Sequence, residues 1–208
     1  MSDSLEKLKE IFREFPGIGP RQAERFVYLL LHKNKNFRDD FIKEIETLAR
    51  SVRQCSTCFR FFEAKAGMHT CSICSDAGRD SSLLMVLPRD VDFESIEGTH
   101  LYKGLYFILG GTSAFSAKKQ SPLRTKELVS HIEKMGKDLK EIIIAVSLNP
   151  EGDNTRQTIE DSIREVVKKH GIKVSTLGRG LSTGAEIEYI DRETLSDALS
   201  GRKQEPVP

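Results

Sequence analysis

Two Cys-x-x-Cys pairs, Cys55 with Cys58 and Cys71 with Cys74, stand twelve residues apart and constrain this chain more than any other feature. A Cys-x-x-Cys turn sets two thiols on one side of a tight knuckle, and two such knuckles can close a tetrahedral site of four sulfurs. With sulfur in every position no place is left for a catalytic water, so the expected ion is a structural Zn²⁺. A secreted chain would use an even cysteine count for disulfides instead. Here Met1 to Glu10 alternates charge with leucine and builds no apolar leader. The longest apolar runs, residues 83–87 and 142–146, are too short to span a bilayer. A cytoplasmic protein with no membrane segment is expected, and in a reducing compartment metal binding is the better use of the thiols. A redox Cys-x-x-Cys needs only one pair in a thioredoxin-like setting, which is absent around Cys55. His69 breaks the paired spacing and is expected on the surface.

The 208 residues leave room for one ordinary domain and one or two small modules. Residues 4–53 read as helical. Leu5, Leu8, Ile11, Phe12 and Phe15 recur at helical spacing, and a second stripe follows Pro20 through Ala23, Phe26, Val27 and Leu30. A third, around Phe41, Ile45, Leu48 and Val52, leads into the cysteines. From Ser82 the pattern changes: β-rich runs at 83–87, 105–109, 142–146 and 173–177 alternate with helical segments. Continuous apolar strands of this kind predict a parallel sheet covered on both faces. The clearest helix is 155–170, with Ile159, Ile163, Val166 and Val167 on one stripe, basic residues in its last turn, and Gly171 as a left-handed cap. A strand at 186–190 and a short helix after Asp191 close the chain, before a tail from Arg202 to Pro208 expected to be disordered.

Net charge is +1, from 32 basic and 31 acidic side chains, so any contact with a polyanion must come from a local patch. The segment Phe15-Pro-Gly-Ile-Gly-Pro-Arg21 offers one. Gly17 and Gly19 let backbone N–H groups approach a phosphate, Ile18 between them can plug into the core, and Pro20 suits the first turn of the next helix. Arg21 and Arg25 lie one turn apart on one side, and Lys33, Lys35 and Arg38 add positive charge opposed only by Glu24. The bland alternative is a tight turn with solvated arginines; the added lysines favour DNA. The hairpin looks like a helix-hairpin-helix motif, which binds DNA without reading sequence.

After the 142–146 strand comes Asn149-Pro-Glu-Gly-Asp-Asn-Thr155. Glu151 and Asp153 are expected in a loop at the strand's carboxyl end, where two carboxylates could hold Mg²⁺. The competing and preferred reading is that Asp153 or Asn154 caps the following helix. The glycines of 178–184 lack the Gly-Lys-Ser/Thr of a phosphate loop and read as turn residues, so no ATPase is expected.

Taken in order, Phe15-Pro-Gly-Ile-Gly-Pro-Arg-Gln-Ala-Glu-Arg25, the paired cysteines, Asn149-Pro-Glu-Gly-Asp-Asn-Thr155 and Gly180-Leu-Ser-Thr-Gly-Ala-Glu-Ile-Glu-Tyr-Ile-Asp191 resemble the RecR family of bacterial recombination mediators over about residues 5–203. The resemblance implies an α+β multi-module chain. Residues 1–53 would be a helix-hairpin-helix module and 54–77 a four-cysteine zinc knuckle. Residues 78–177 would be a Toprim-type α/β domain with a mostly parallel sheet, and 178–208 a strand–helix extension and tail. It further implies a role in recombinational repair with the RecO and RecF proteins, loading the strand-exchange recombinase on gapped DNA. Dimers and ring-like tetramers are implied as well. By match Arg21 and Arg25 fall on DNA-contacting positions, and Glu151 and Asp153 on the acidic Toprim pair, linked to partner contact more than to strand cleavage. One departure is plain: the first Toprim strand usually ends in a glutamate, and here Pro88 takes that place, with Asp90 and Asp92 on the next helix turn. Its loss argues against strand chemistry and against a firmly held Mg²⁺. The expectation is therefore a non-enzyme. The rival readings are a Mg²⁺-dependent Toprim enzyme of topoisomerase, primase or nuclease type, and a plain zinc-containing interaction module.

Overall fold

The computed structural model describes residues 3–113, 123–178, 180–181 and 184–202. The chain divides into two compact units, residues 1–53 with 63–65, and residues 54–62 with 66–208.

In the first unit, α1 (Ser4–Arg13) starts at Asp3, whose carboxylate accepts the Leu5 N–H. It stops at Arg13, two residues short of the Phe15 that the apolar stripe suggested, because Phe15 N–H turns back to the Phe12 carbonyl and Gly17 takes a φ of 78°. α2 (Pro20–His32) follows, with Pro20 in its first turn and Gly19 in extended conformation as its cap. Ala23 and Val27 of α2 are completely buried, and Phe12 of α1 meets Phe26 of α2 at 5.5 Å between ring centroids. α3 (Lys35–Ser51) is started by Asn34, whose side chain accepts the Phe37 N–H. Val52 then belongs to a short strand, β1 (Val52–Gln54), rather than to the third helix; it forms a two-stranded ribbon with β2 (Phe61–Glu63).

The second unit contains the cysteine segment, with its one-turn helix α4 (Ser72–Ser75), and an α/β sheet. The sheet elements are β3 (Asp80–Leu87), α5 (Asp90–Glu97), β4 (Gly104–Ile108), α6 (Thr125–Met135), β5 (Glu141–Ile144), α7 (Pro150–His170) and β6 (Lys173–Thr176). The strands run in the order β4-β3-β5-β6, all parallel, with Leu84 beside Ile142 and Val86 beside both Ile144 and Phe107. Strand alternation divides the side chains between two faces. Leu84, Val86, Phe107, Ile142 and Ile144 pack with Leu128 and Ile132 of α6 and Ile159, Ile163 and Val166 of α7. Tyr106, on the other face, meets Phe93 of α5 edge-on at 4.9 Å. Burial on both faces is why β3 and β4 carry unbroken apolar runs, while the edge strand β6 is mostly exposed.

Two local expectations are corrected. α7 begins at Pro150, five residues before the predicted start: Asn149 Oδ1 accepts the Gly152 N–H at 2.8 Å, and Pro150 supplies a ready-set φ. Glu151 and Asp153 therefore sit in the first helical turn and not in a loop, and the cap is Asn149 instead of Asp153 or Asn154. The strand expected at 186–190 is a 3-10 turn, Ile187–Tyr189, leading to α8 (Arg192–Ser200), whose first N–H groups are held by Asp191. Alternating polarity there did not find a strand to pair with among the described residues. The far end of α7 is as expected, with Lys168, Lys169 and His170 in the last turn and Gly171 left-handed at φ 67°. The expected disordered tail, 203–208, and part of the glycine segment 178–184 lie outside the described residues.

Candidate metal centre and nucleic-acid interface

The four Cys Sγ atoms lie within 4.8 Å of one another, and Cys58 and Cys71 approach to 3.6 Å. A tetrahedron with Zn–S bonds of about 2.3 Å has sulfur–sulfur edges of about 3.8 Å, so the cluster fits a metal such as zinc with small adjustments. Among the described residues it is the only group of three or more Cys, His, Asp or Glu side chains placed to hold a metal. No disulfide links them. Local backbone geometry builds each knuckle. Cys55 N–H donates to the Arg60 carbonyl at 2.8 Å and Phe59 N–H returns to the Cys55 carbonyl, with Phe59 itself left-handed at φ 63°. In the second knuckle Ser75 N–H returns to the Cys71 carbonyl, and Cys71 N–H donates to Cys55 Sγ at 3.4 Å.

The protonation chemistry suits a bound cation. Hydrogen bonds from Cys58, then Cys71 and Cys74, push the Cys55 thiol well below its ordinary range, while the same contacts with Cys55 push Cys58 and Cys74 up. Cys71 is raised by Cys55 but lowered more by Cys58 and Cys74, and comes down to about 6. Four sulfurs this close cannot all ionise against one another unaided, and a dication held among them would let them.

The knuckle is fastened to the sheet of its own unit. Ile108 N–H donates to the Cys58 carbonyl at 2.8 Å, Phe59 meets Phe107 edge-on at 5.3 Å, and Arg60 stacks over Phe93 at 4.2 Å. Asp90 accepts the Phe61 N–H at 2.8 Å. Nothing in the spacing of Asp90 announced that role.

At the hairpin, Gly17 and Gly19 have open space around them: an added Cβ at either would meet no atom within 4 Å. Ile18 is half-buried and shares an apolar pocket with Phe12, Phe15, Phe26, Phe37 and Phe41. Arg21 and Arg25 are exposed on α2, and neither forms an ion pair among the described residues, because Glu24 is held by Lys9 at 3.2 Å. Lys33 and Lys35 are exposed, Lys33 lying over the Phe37 ring. Arg38 does not join them. Its guanidinium donates to the Leu30, Leu31 and Lys33 carbonyls, closing the carboxyl end of α2.

At the acidic pair, Glu151 accepts a short hydrogen bond from Thr112 Oγ1. Thr155, fully buried, donates to the Glu151 carbonyl at 2.7 Å and accepts the Ser113 N–H at 2.9 Å, while Asn154 Nδ2 donates to Ser113. Asp153 faces Arg156 at 3.5 Å. Gly152 lets this turn close, since a Cβ there would fall 1.8 Å from the Ser147 carbonyl oxygen. Pro88 is buried where the Toprim glutamate is expected, and its carbonyl accepts the N–H groups of Gly110 and Gly111. Asp90 and Asp92 lie on α5 as expected, and Asp92 is used there to cap the helix, accepting Arg89 N–H at 3.1 Å. No helix among the described residues is long and apolar enough to cross a membrane.

Comparison with known proteins agrees with this architecture. Residues 82–178 match the Toprim domain family, and residues 180–203 match the family described as RecR, C-terminal. Recombination protein RecR of Bifidobacterium longum subsp. infantis is 33% identical over 202 residues, covering 97% of this chain and 96% of its own length. The RecR proteins of Bacteroides thetaiotaomicron and Ehrlichia canis are each 35% identical over 199 residues, 95% of this chain, and 92% and 97% of their own lengths. Likeness at this level along nearly the whole length, with the Toprim sheet and the cysteine cluster in place, makes this chain a member of the RecR family of recombination proteins.

Proposed function

We propose that the chain is a non-catalytic, sequence-independent DNA-binding mediator of recombinational repair, acting in the cytoplasm. Gly17, Gly19, Arg21 and Arg25 grip the phosphate backbone, with Lys33 and Lys35 adding to the field. The observation that carries this reading is the hairpin itself, where open glycine backbone, the amino end of α2 and two unpaired arginines share one exposed corner. Such contacts neutralise phosphates and carry no base code. In this reading the four cysteines hold Zn²⁺, whose part is structural.

The partners are RecO and RecF, with Glu151 and Asp153 as a docking point, and the action is loading of a strand-exchange recombinase on gapped DNA. Self-association to dimers and ring-like tetramers is supported by the apolar side chains left uncovered on the first unit, including Ile11, Phe15, Leu29, Ile42, Ile45 and Leu48, each more than half exposed.

A Toprim enzyme would need carboxylates free to position a metal and move protons. Pro88 has none to offer, and Asp90, Asp92 and Glu151 are hydrogen-bonded to other groups. The test is incubation with supercoiled plasmid and Mg²⁺. Retarded mobility with no cut or relaxed product is expected. Metal-dependent conversion that Glu151→Ala abolishes would establish the enzyme reading in its place.

A further inference from the structure

A groove of about 310 Å³ opens where α6 passes the first cysteine knuckle. Lys126, Ser130 and Lys134 line it from α6, at successive turns of one face, and Ser56 lines it from the knuckle. The inner wall is the His131 ring, tilted against Phe107 with centroids 5.7 Å apart. Among the described residues neither lysine forms an ion pair, and the hydroxyls of Ser56 and Ser130 have no hydrogen-bond partner. Elsewhere on the α6–α7 surface the opposite holds: Lys169 and His170 are taken up by Glu133 at 2.9 and 3.0 Å. Glu127 is the one carboxylate in the lining, so the groove keeps a net positive charge.

We propose that this groove is a second site for the phosphodiester backbone of a nucleic acid, separate from the hairpin. Lys126 and Lys134 are eight residues apart on α6, about 12 Å along the axis at the usual rise per residue. Phosphates a few nucleotides apart along one strand can span that distance. The spacing suits an extended polyanion better than a compact one. Among the described residues no glycine lines the groove, so no glycine-rich loop is there to cradle a nucleotide's clustered phosphates. The serine hydroxyls and the imidazole N–H supply neutral donors between the two charges. Like the hairpin, such a surface reads no sequence.

The test uses the full chain and a fluorescent single-stranded oligonucleotide, with anisotropy recorded across a salt series. Lys126→Ala with Lys134→Ala should lower the slope of log affinity against log salt by about 1.4, or about 0.7 for each lost phosphate contact. Glu127→Gln should tighten binding by removing the one opposing charge. All three side chains are exposed, so metal content and circular dichroism should stay unchanged. The lysine pair should have the same effect when Arg21→Ala and Arg25→Ala are already present, which separates failure of this site from failure of the hairpin. An unchanged slope in the lysine variant, with no gain from Glu127→Gln, overturns the proposal. Competition by inorganic pyrophosphate that the lysine substitutions abolish would assign the groove to small anions, and overturns it equally.

Discussion

Replacing Gly152 with alanine tests the geometry that sets the acidic pair on its helix. The added Cβ would lie 1.8 Å from the Ser147 carbonyl oxygen and 2.8 and 3.2 Å from that residue's carbonyl carbon and nitrogen. Non-bonded carbon and oxygen settle near 3.5 Å, so the start of α7 or the chain before it must retreat by roughly 1.5 Å. Both sides are backbone and both are tied: Ala145 N–H donates to the Val86 carbonyl at 3.0 Å, and Gly152 N–H to Asn149 Oδ1 at 2.8 Å. No rotamer change can relieve this. Overpacking costs about 1–3 kcal/mol where side chains can shift, so about 3 kcal/mol is expected here. With a urea slope of about 2 kcal/mol per M, the unfolding midpoint should fall by about 1.5 M. Gly178→Ala is the control, because its Cβ meets nothing within 4 Å; a change within about 0.5 kcal/mol is expected. Equal midpoints for the two variants, followed by far-ultraviolet circular dichroism, would refute the reasoning.

Two further outcomes follow from the same structure. Cys58→Ser should leave the protein with far less than one zinc per chain by elemental analysis and lower its solubility, because metal binding and folding of such knuckles are coupled; a soluble variant with full metal content contradicts the four-sulfur site. Arg79 holds Glu97, which also accepts the Tyr106 hydroxyl at 2.8 Å. Burial pulls the Glu97 pKa up, but the hydrogen bonds from Arg79 and Tyr106 outweigh it and the net shift is downward. A depressed carboxyl stabilises the fold above its unfolded pKa of about 4.3 and loses that contribution as pH falls through the folded value. Arg79→Ala should therefore cost about 2–4 kcal/mol at pH 7 and flatten the loss of stability below pH ~4; an acid profile parallel to the parent's would contradict it.

The parts of the fold that could be read in advance were those with one dominant cause. Strands buried on both faces gave apolar runs at Leu84–Leu87 and Ile142–Ile144, and they form the parallel sheet expected of them. Paired knuckle spacing identified Cys55, Cys58, Cys71 and Cys74 because sulfur geometry around one ion leaves few arrangements. Misreadings came where local chemistry competed with periodicity. The polar first turn of α7 carries no apolar stripe, so periodicity alone starts the helix late and leaves Glu151 in a loop, whereas the Asn149 cap and Pro150 start it at once. Arg38 counts as free charge in the sequence, whereas the fold gives it three carbonyl partners. The support given to Glu151 by Thr112, and to the knuckle by Asp90, joins residues distant in the chain and leaves no local pattern.

The central claim is that the hairpin holds DNA by its phosphates, and salt dependence tests it most directly. Affinity for a short duplex should be measured across a salt series for the parent protein and for Arg21→Ala with Arg25→Ala, using duplexes of unrelated sequence. Loss of two phosphate contacts should lower the slope of log affinity against log salt by about 1.8, equally for every sequence. A slope that does not change, or a loss confined to one sequence, contradicts the account.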